Sequence, residues 1–134
     1  MEQMYREHRD IAEFFLVYIS EAHAKNDIVP TYSAFKYDIR EPESAEQRAE
    51  VADKLVRNKG LTMPCLVDQM GNEVAKSYRA WPDRVYLIDE SGHIGVTSPR
   101  GPAGIKRALK RVNRWLEAHR KTLDTAPTSI PFQI

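Results

Sequence analysis

The sequence predicts an α/β protein, a central mixed sheet flanked by helices. Three observations carry that reading. Apolar, β-prone runs at residues 14–19, 63–68 and 84–89 have the length and composition of buried strands. Between them lie segments whose apolar residues repeat at helical spacing, and helices alternating with buried strands make a layered α/β fold. Toward the C-terminus, two strands around a tight turn precede one long amphipathic helix.

The elements follow in order. Residues 2–12 are charged, with apolar Met4, Ile11 and Ala12, and suit a short helix. The run FFLVYI, 14–19, reads as a fully buried strand and leads into Glu21 and His23. Residues 24–43 carry two prolines and Tyr32, Phe35 and Tyr37 without a clean period, which predicts a structured loop. Ser44 and Gln47 form a capping box for a helix with an Ala45, Ala49, Ala52, Leu55, Val56 stripe, ended by Gly60. MPCLVD, 63–68, predicts a second buried strand, and residues 72–78 a short helix that stops before Trp81-Pro82. RVYLID and HIGVTS pair as a hairpin around Glu90-Ser91-Gly92. Gly101-Pro102 opens the last helix, whose stripe is Ile105, Ala108, Leu109, Val112 and Leu116. A single domain thus spans 1–121, and 122–134, with Pro127 and Pro131, is expected to be a loosely ordered tail.

Composition bounds the function. A chain of 134 residues, 42% hydrophobic and 29% charged, is ordinary for one soluble core. A net charge of +1 supplies no field for nucleic acid or an anionic membrane. No apolar run approaches the roughly 20 residues of a membrane span. The opening MEQMYREHRD lacks a signal peptide's apolar core, so the expectation is a cytoplasmic chain without an anchor. The lone Cys65 excludes an internal disulfide and a multi-cysteine zinc site, and no metal is expected.

The terminal hairpin and helix match the second half of a thioredoxin-like layout. Pro82 stands where that fold commonly keeps a cis-proline beside its active site. The segments LVYISEAH, AKSYRAWPDRVYLID and SPRGPAGI together resemble the iodothyronine deiodinase family, particularly its bacterial deiodinase-like members, over about residues 4 to 118. The resemblance implies a thioredoxin-fold selenoenzyme group with peroxiredoxin-like insertions, here as a loop and strand inserted before the hairpin. Its animal members reductively remove iodine from thyroid hormones: selenium or cysteine sulfur attacks the halogen, and a thiol reductant regenerates the enzyme. It implies no bound cofactor. By motif, Tyr18, Glu21 and His23 match the family's Tyr-Ile-x-Glu-Ala-His, a polar network beside the selenium. Arg100 matches the arginine of Arg-Gly-Pro, which holds the carboxylate end of the substrate.

The departures from the family pattern are informative. Its nucleophile lies before the first long helix, after an initial strand, and neither has a counterpart in this sequence. A selenocysteine codon taken for a stop, with the start assigned to the next Met, would give that result. The Asp-Gly-Trp that often follows the triplet is replaced, and residues 36–48 hold no counterpart of the insertion's hormone-gripping histidine.

Read from the residues themselves, Glu21 and His23 are two apart, so an extended chain would point both to one side. His23 could then deliver a proton or hold a selenolate ionised, with Glu21 fixing its tautomer. The bland alternative is a histidine that satisfies loop carbonyls. Cys65, between apolar neighbours, suits an inert core thiol. Arg100, just before a helix N-terminus, suits pairing with a carboxylate or an ordinary surface position. The basic face Lys106, Arg107, Lys110, Arg111 and Arg114 suits a solvated helix side, having no interleaved aromatics to stack bases.

The expected function is a deiodinase-like thiol or selenol oxidoreductase acting on a halogenated aromatic, inactive as given because the nucleophile is absent. A peroxiredoxin-like peroxidase and a non-catalytic binding module are the alternatives. A missing first strand would leave an open sheet edge and apolar surface, which favours a homodimer.

Overall fold

A computed structural model describes residues 1–125. In chain order these form α1 (Glu2–His8), β1 (Leu16–Tyr18), α2 (Tyr32–Lys36), α3 (Ala45–Lys59), β2 (Cys65–Val67), α4 (Glu73–Ser77), β3 (Tyr86–Ile88), β4 (Ile94–Thr97) and α5 (Pro102–Thr125). The mixed α/β class and the expected succession hold. The addition is α2, a short helix inside the structured loop, capped by Thr31.

The punctuation residues act as their chemistry dictates. Ser44 accepts from the Gln47 N–H at 3.2 Å, and Gln47 reaches back to the Glu43 N–H at 2.9 Å. Gly60 adopts φ +59 and closes α3 with bonds to Arg57 and Val56. The buried face of α3 is not the expected alanine stripe, however. Ala45 and Ala49 are exposed, while Arg48 and Ala52 are buried.

The sheet differs from expectation. β1 pairs with β2 in parallel, Tyr18 opposite Val67, and β3 pairs with β4 antiparallel, Leu87 opposite Val96. No ladder joins the two pairs among the described residues, so β1 has one partner and is not a central strand. Each strand is only three or four residues long, and with one neighbour each keeps an edge without a ladder among the described residues. Nor is β2 buried, since Leu66 and Val67 are exposed. Consecutive strand residues point to opposite faces, so β2 exposes side chains on both.

The main core lies between the hairpin and α5, where Val85, Leu87 and Val96 pack on Ala108, Val112 and Leu116. Met4, Ile11 and Phe14 close it from the N-terminal side. Arg120 of α5 clamps Asp10 through two 2.7 Å bonds and the Glu7 carbonyl through one of 2.8 Å. Glu2 accepts from both the N–H and hydroxyl of Thr62, tying α1 to the turn before β2. Helix α5 continues through Thr125, so the expected tail does not start at Thr122. The remainder of that tail, 126–134, lies outside the described residues.

Candidate functional site

β1 delivers Tyr18 into the interior, where it is 8% exposed. Its carbonyl accepts from the Asp68 N–H at 2.8 Å, which fixes the strand end beside β2. The chain then leaves the ladder, and the Tyr18 hydroxyl donates to the Glu21 carboxylate. Burial, then the Glu21 bond and the Glu21 and Glu41 charges, push the Tyr18 phenol far above its ordinary range. Tyr18 is therefore a neutral donor at any physiological pH.

The Glu21 N–H donates to Glu41 Oε2 at 2.9 Å, across twenty residues of loop. Burial pushes the Glu41 carboxyl up, opposed by the Glu21 N–H bond and the Arg48 charge. Arg48, 1% exposed, spends Nη1 on the carbonyls of Gln69 (2.7 Å) and Asp68 (3.3 Å) and on Asn72 Oδ1 (2.9 Å). Glu21, Ala24, Asn26, Asp27 and Glu41 line a cleft of about 250 Å³.

His23 takes a different course from the expected one. Its φ is +144, so the chain is not extended from Glu21 and the two side chains do not share a side by strand geometry. Its Nδ1 lies 2.9 Å from the Val29 carbonyl oxygen, and its own carbonyl accepts from Thr31 N–H at 3.2 Å. The imidazole tautomer is thus set by Val29 rather than by Glu21. His23 is exposed, and it pins a loop whose Ile28, Val29, Tyr32 and Phe35 are also exposed.

Pro82 and Arg100 come together at another place in the chain. The Trp81-Pro82 bond is cis. Asp83 Oδ1 accepts from the Gly101 N–H at 2.6 Å, and Ser98 exchanges two 3.0 Å bonds with the Val85 backbone. These tie the proline turn to the loop bearing Arg100. Arg100 is exposed and makes no ion pair or side-chain hydrogen bond among the described residues. The Gly101 N–H before α5 is thus already occupied by the Asp83 carboxylate.

The spacing Tyr78-x-Ala80-x-x-x-Arg84-x-Tyr86 has a physical reason. The Tyr86 hydroxyl donates to the Tyr78 carbonyl at 2.5 Å, Arg84 donates to the Tyr86 hydroxyl at 3.0 Å, and the two tyrosine rings meet edge-on at 5.1 Å. The motif is a side-chain staple across the proline turn. Cys65 is half-buried, and burial raises its thiol above the usual value, which suits an inert group. No group of three His, Cys, Asp or Glu side chains able to hold a metal occurs among the described residues. Nor is any described helix long and apolar enough to cross a membrane.

A family model described as iodothyronine deiodinase matches residues 1–120. The chain belongs to the iodothyronine deiodinase family. A thyroxine 5-deiodinase of Gallus gallus is 32% identical over 125 residues, covering 93% of this chain and 46% of the relative. A type II iodothyronine deiodinase of Fundulus heteroclitus is 30% identical over 118 residues, covering 86% and 43%. This deiodinase-family chain thus spans less than half the length of these curated relatives.

Sequence reasoning passed over Glu41 and Arg48. The signal for Arg48 is its place four residues before the buried Ala52, which puts a charge on the helix's inner face. Glu41 sits in an irregular loop and gave no periodic signal.

Proposed function

We propose that this chain is the thioredoxin-like part of a reductive dehalogenase that acts on iodinated aromatics, and that a thiol reductant completes its cycle. The observation that carries the reading is the neutral, buried Tyr18 donor on Glu21, at the end of the strand where the family's Tyr-Ile-x-Glu-Ala-His motif falls. In the reaction a selenolate or thiolate attacks iodine, the carbon–iodine bond breaks, and the aryl carbon takes up a proton. The resulting selenenyl or sulfenyl iodide is reduced by two thiols, which leave as a disulfide and free iodide. His23 offers Nε2 near that chemistry as a proton carrier, and Arg100 offers a bidentate partner for the substrate carboxylate. The attacking chalcogen is not assigned to these residues, because the sole thiol, Cys65, lies within β2 and its pKa is pushed up by burial.

Two measurements test this. Calorimetric titration with 3,5-diiodotyrosine should show binding at least tenfold tighter than with tyrosine, and Arg100→Ala should weaken it about tenfold. With a dithiol present, the chain alone should release no iodide beyond the dithiol background. Equal affinity for the two ligands would refute the substrate class, and iodide release would refute the assignment of the nucleophile.

A further inference from the structure

We propose that Glu41 is a positioning residue for the Tyr18–Glu21 pair, held in place by the buried Arg48. The proposal rests on reading Tyr18 and Glu21 as part of the site, and it assigns a role to two residues outside the family motif.

Glu21 lies three residues past Tyr18, beyond the last hydrogen-bonded rung of β1, so no ladder partner satisfies its N–H. Glu41 Oε2 fills that vacancy at 2.9 Å. The same loop closure places Asn26 Oδ1 on the Glu41 N–H at 2.9 Å and the Lys25 N–H on the Ile39 carbonyl at 2.7 Å. Glu21 is therefore gripped by its backbone while its carboxylate is gripped by Tyr18. With both ends fixed, the carboxylate has little freedom to swing away from the hydroxyl.

Arg48 supplies the other half of the arrangement. Its Nη2 stands 3.9 Å from Glu41 Oε1, a charge contact rather than a hydrogen bond. Nη1 is committed to Asp68, Gln69 and Asn72, and the buried Nε has no partner among the described residues. An arginine so buried, with no close carboxylate of its own, is stabilised by its carbonyl acceptors and by the Glu41 charge. It anchors the far end of the 21–41 loop to α3 and to the β2–α4 turn. Small displacements of a reacting group cost orders of magnitude in rate, so such a clasp has functional weight.

The test needs neither ligand nor nucleophile, so its failure would leave the substrate reading standing, and the reverse also holds. The Tyr18 hydroxyl proton is followed by NMR exchange in the chain, in Glu41→Gln, which keeps an acceptor oxygen, and in Glu41→Ala, which does not. Lys25→Ala, which breaks an exposed pair with Asp38 in the same loop, is the control. Protection within about threefold of wild type is expected in Glu41→Gln and Lys25→Ala, with at least tenfold faster exchange in Glu41→Ala. Unchanged exchange in Glu41→Ala would overturn the proposal. Equal acceleration in both Glu41 variants would also overturn it, because the acceptor would then not be the cause.

Discussion

His23 and Val29 are joined by a side-chain-to-backbone hydrogen bond, with Nδ1 2.9 Å from the Val29 carbonyl oxygen. A carbonyl can only accept, so the imidazole donates from Nδ1. Nε2 is then left with its lone pair for solvent or a reactant. One contact thereby orders the exposed loop and fixes which nitrogen is available.

The tautomer follows directly. Neutral His23 should carry its proton on Nδ1, the opposite of the form usual in free histidine, and long-range nitrogen–proton NMR correlations will read it. A proton on Nε2 would remove the link between this residue and the loop.

Removing the Tyr18 hydroxyl should be felt locally. Tyr18→Phe leaves Glu21 without its side-chain donor, and the loss of one hydrogen bond of a charged acceptor corresponds to about 1–2 kcal/mol. Urea unfolding should show that loss with an unchanged denaturant slope. No change in midpoint would mean that water replaces the phenol fully.

Arg48→Met should be the most destabilising substitution in the loop region. It strands the acceptors Gln69, Asp68 and Asn72 and leaves Glu41 without its cation, at a cost of about 3 kcal/mol. The same measurement on Arg57→Met, an exposed position on the same helix, should move by no more than about 0.5 kcal/mol.

Acid should loosen the N-terminal attachments first. Hydrogen bonds from Thr62 hold the Glu2 carboxyl at about 2, and the Arg120 bond holds Asp10 at about 2. Both lie below the ordinary carboxylate values of 4.5 and 3.8. Such groups contribute stability that is present above the unfolded pKa and is lost as pH falls through the folded one. Melting temperature should therefore fall between about pH 4.5 and 2. Glu2→Gln with Asp10→Asn should flatten that fall. Both carboxylates face solvent, so the effect is small and shrinks in salt.

The sequence made the elements legible where local chemistry decides them. Ser44, Gln47, Gly60 and Pro102 mark helix ends because capping depends on neighbours a few residues away. The α5 stripe was readable because its face packs on one core. Long-range facts were not. The exposure of Leu66 depends on which strands pair, and nothing in MPCLVD states that β2 has a single neighbour. In the candidate site, Tyr18, Glu21 and His23 are legible through their motif, but the contacts with Glu41 and Val29 are not. Each bond spans a loop without periodic pattern, and a backbone carbonyl has no letter in the sequence. His23 also shows a limit of strand reasoning, because a single φ of +144 cancels the i, i+2 alignment.

The most direct test of the central claim is a backbone-amide NMR titration of the chain with 3,5-diiodotyrosine. The largest shifts should fall in residues 18–29 and at Arg100, with Cys65 and the outer face of α5 unmoved. Saturable binding that leaves residues 18–29 unshifted would contradict it.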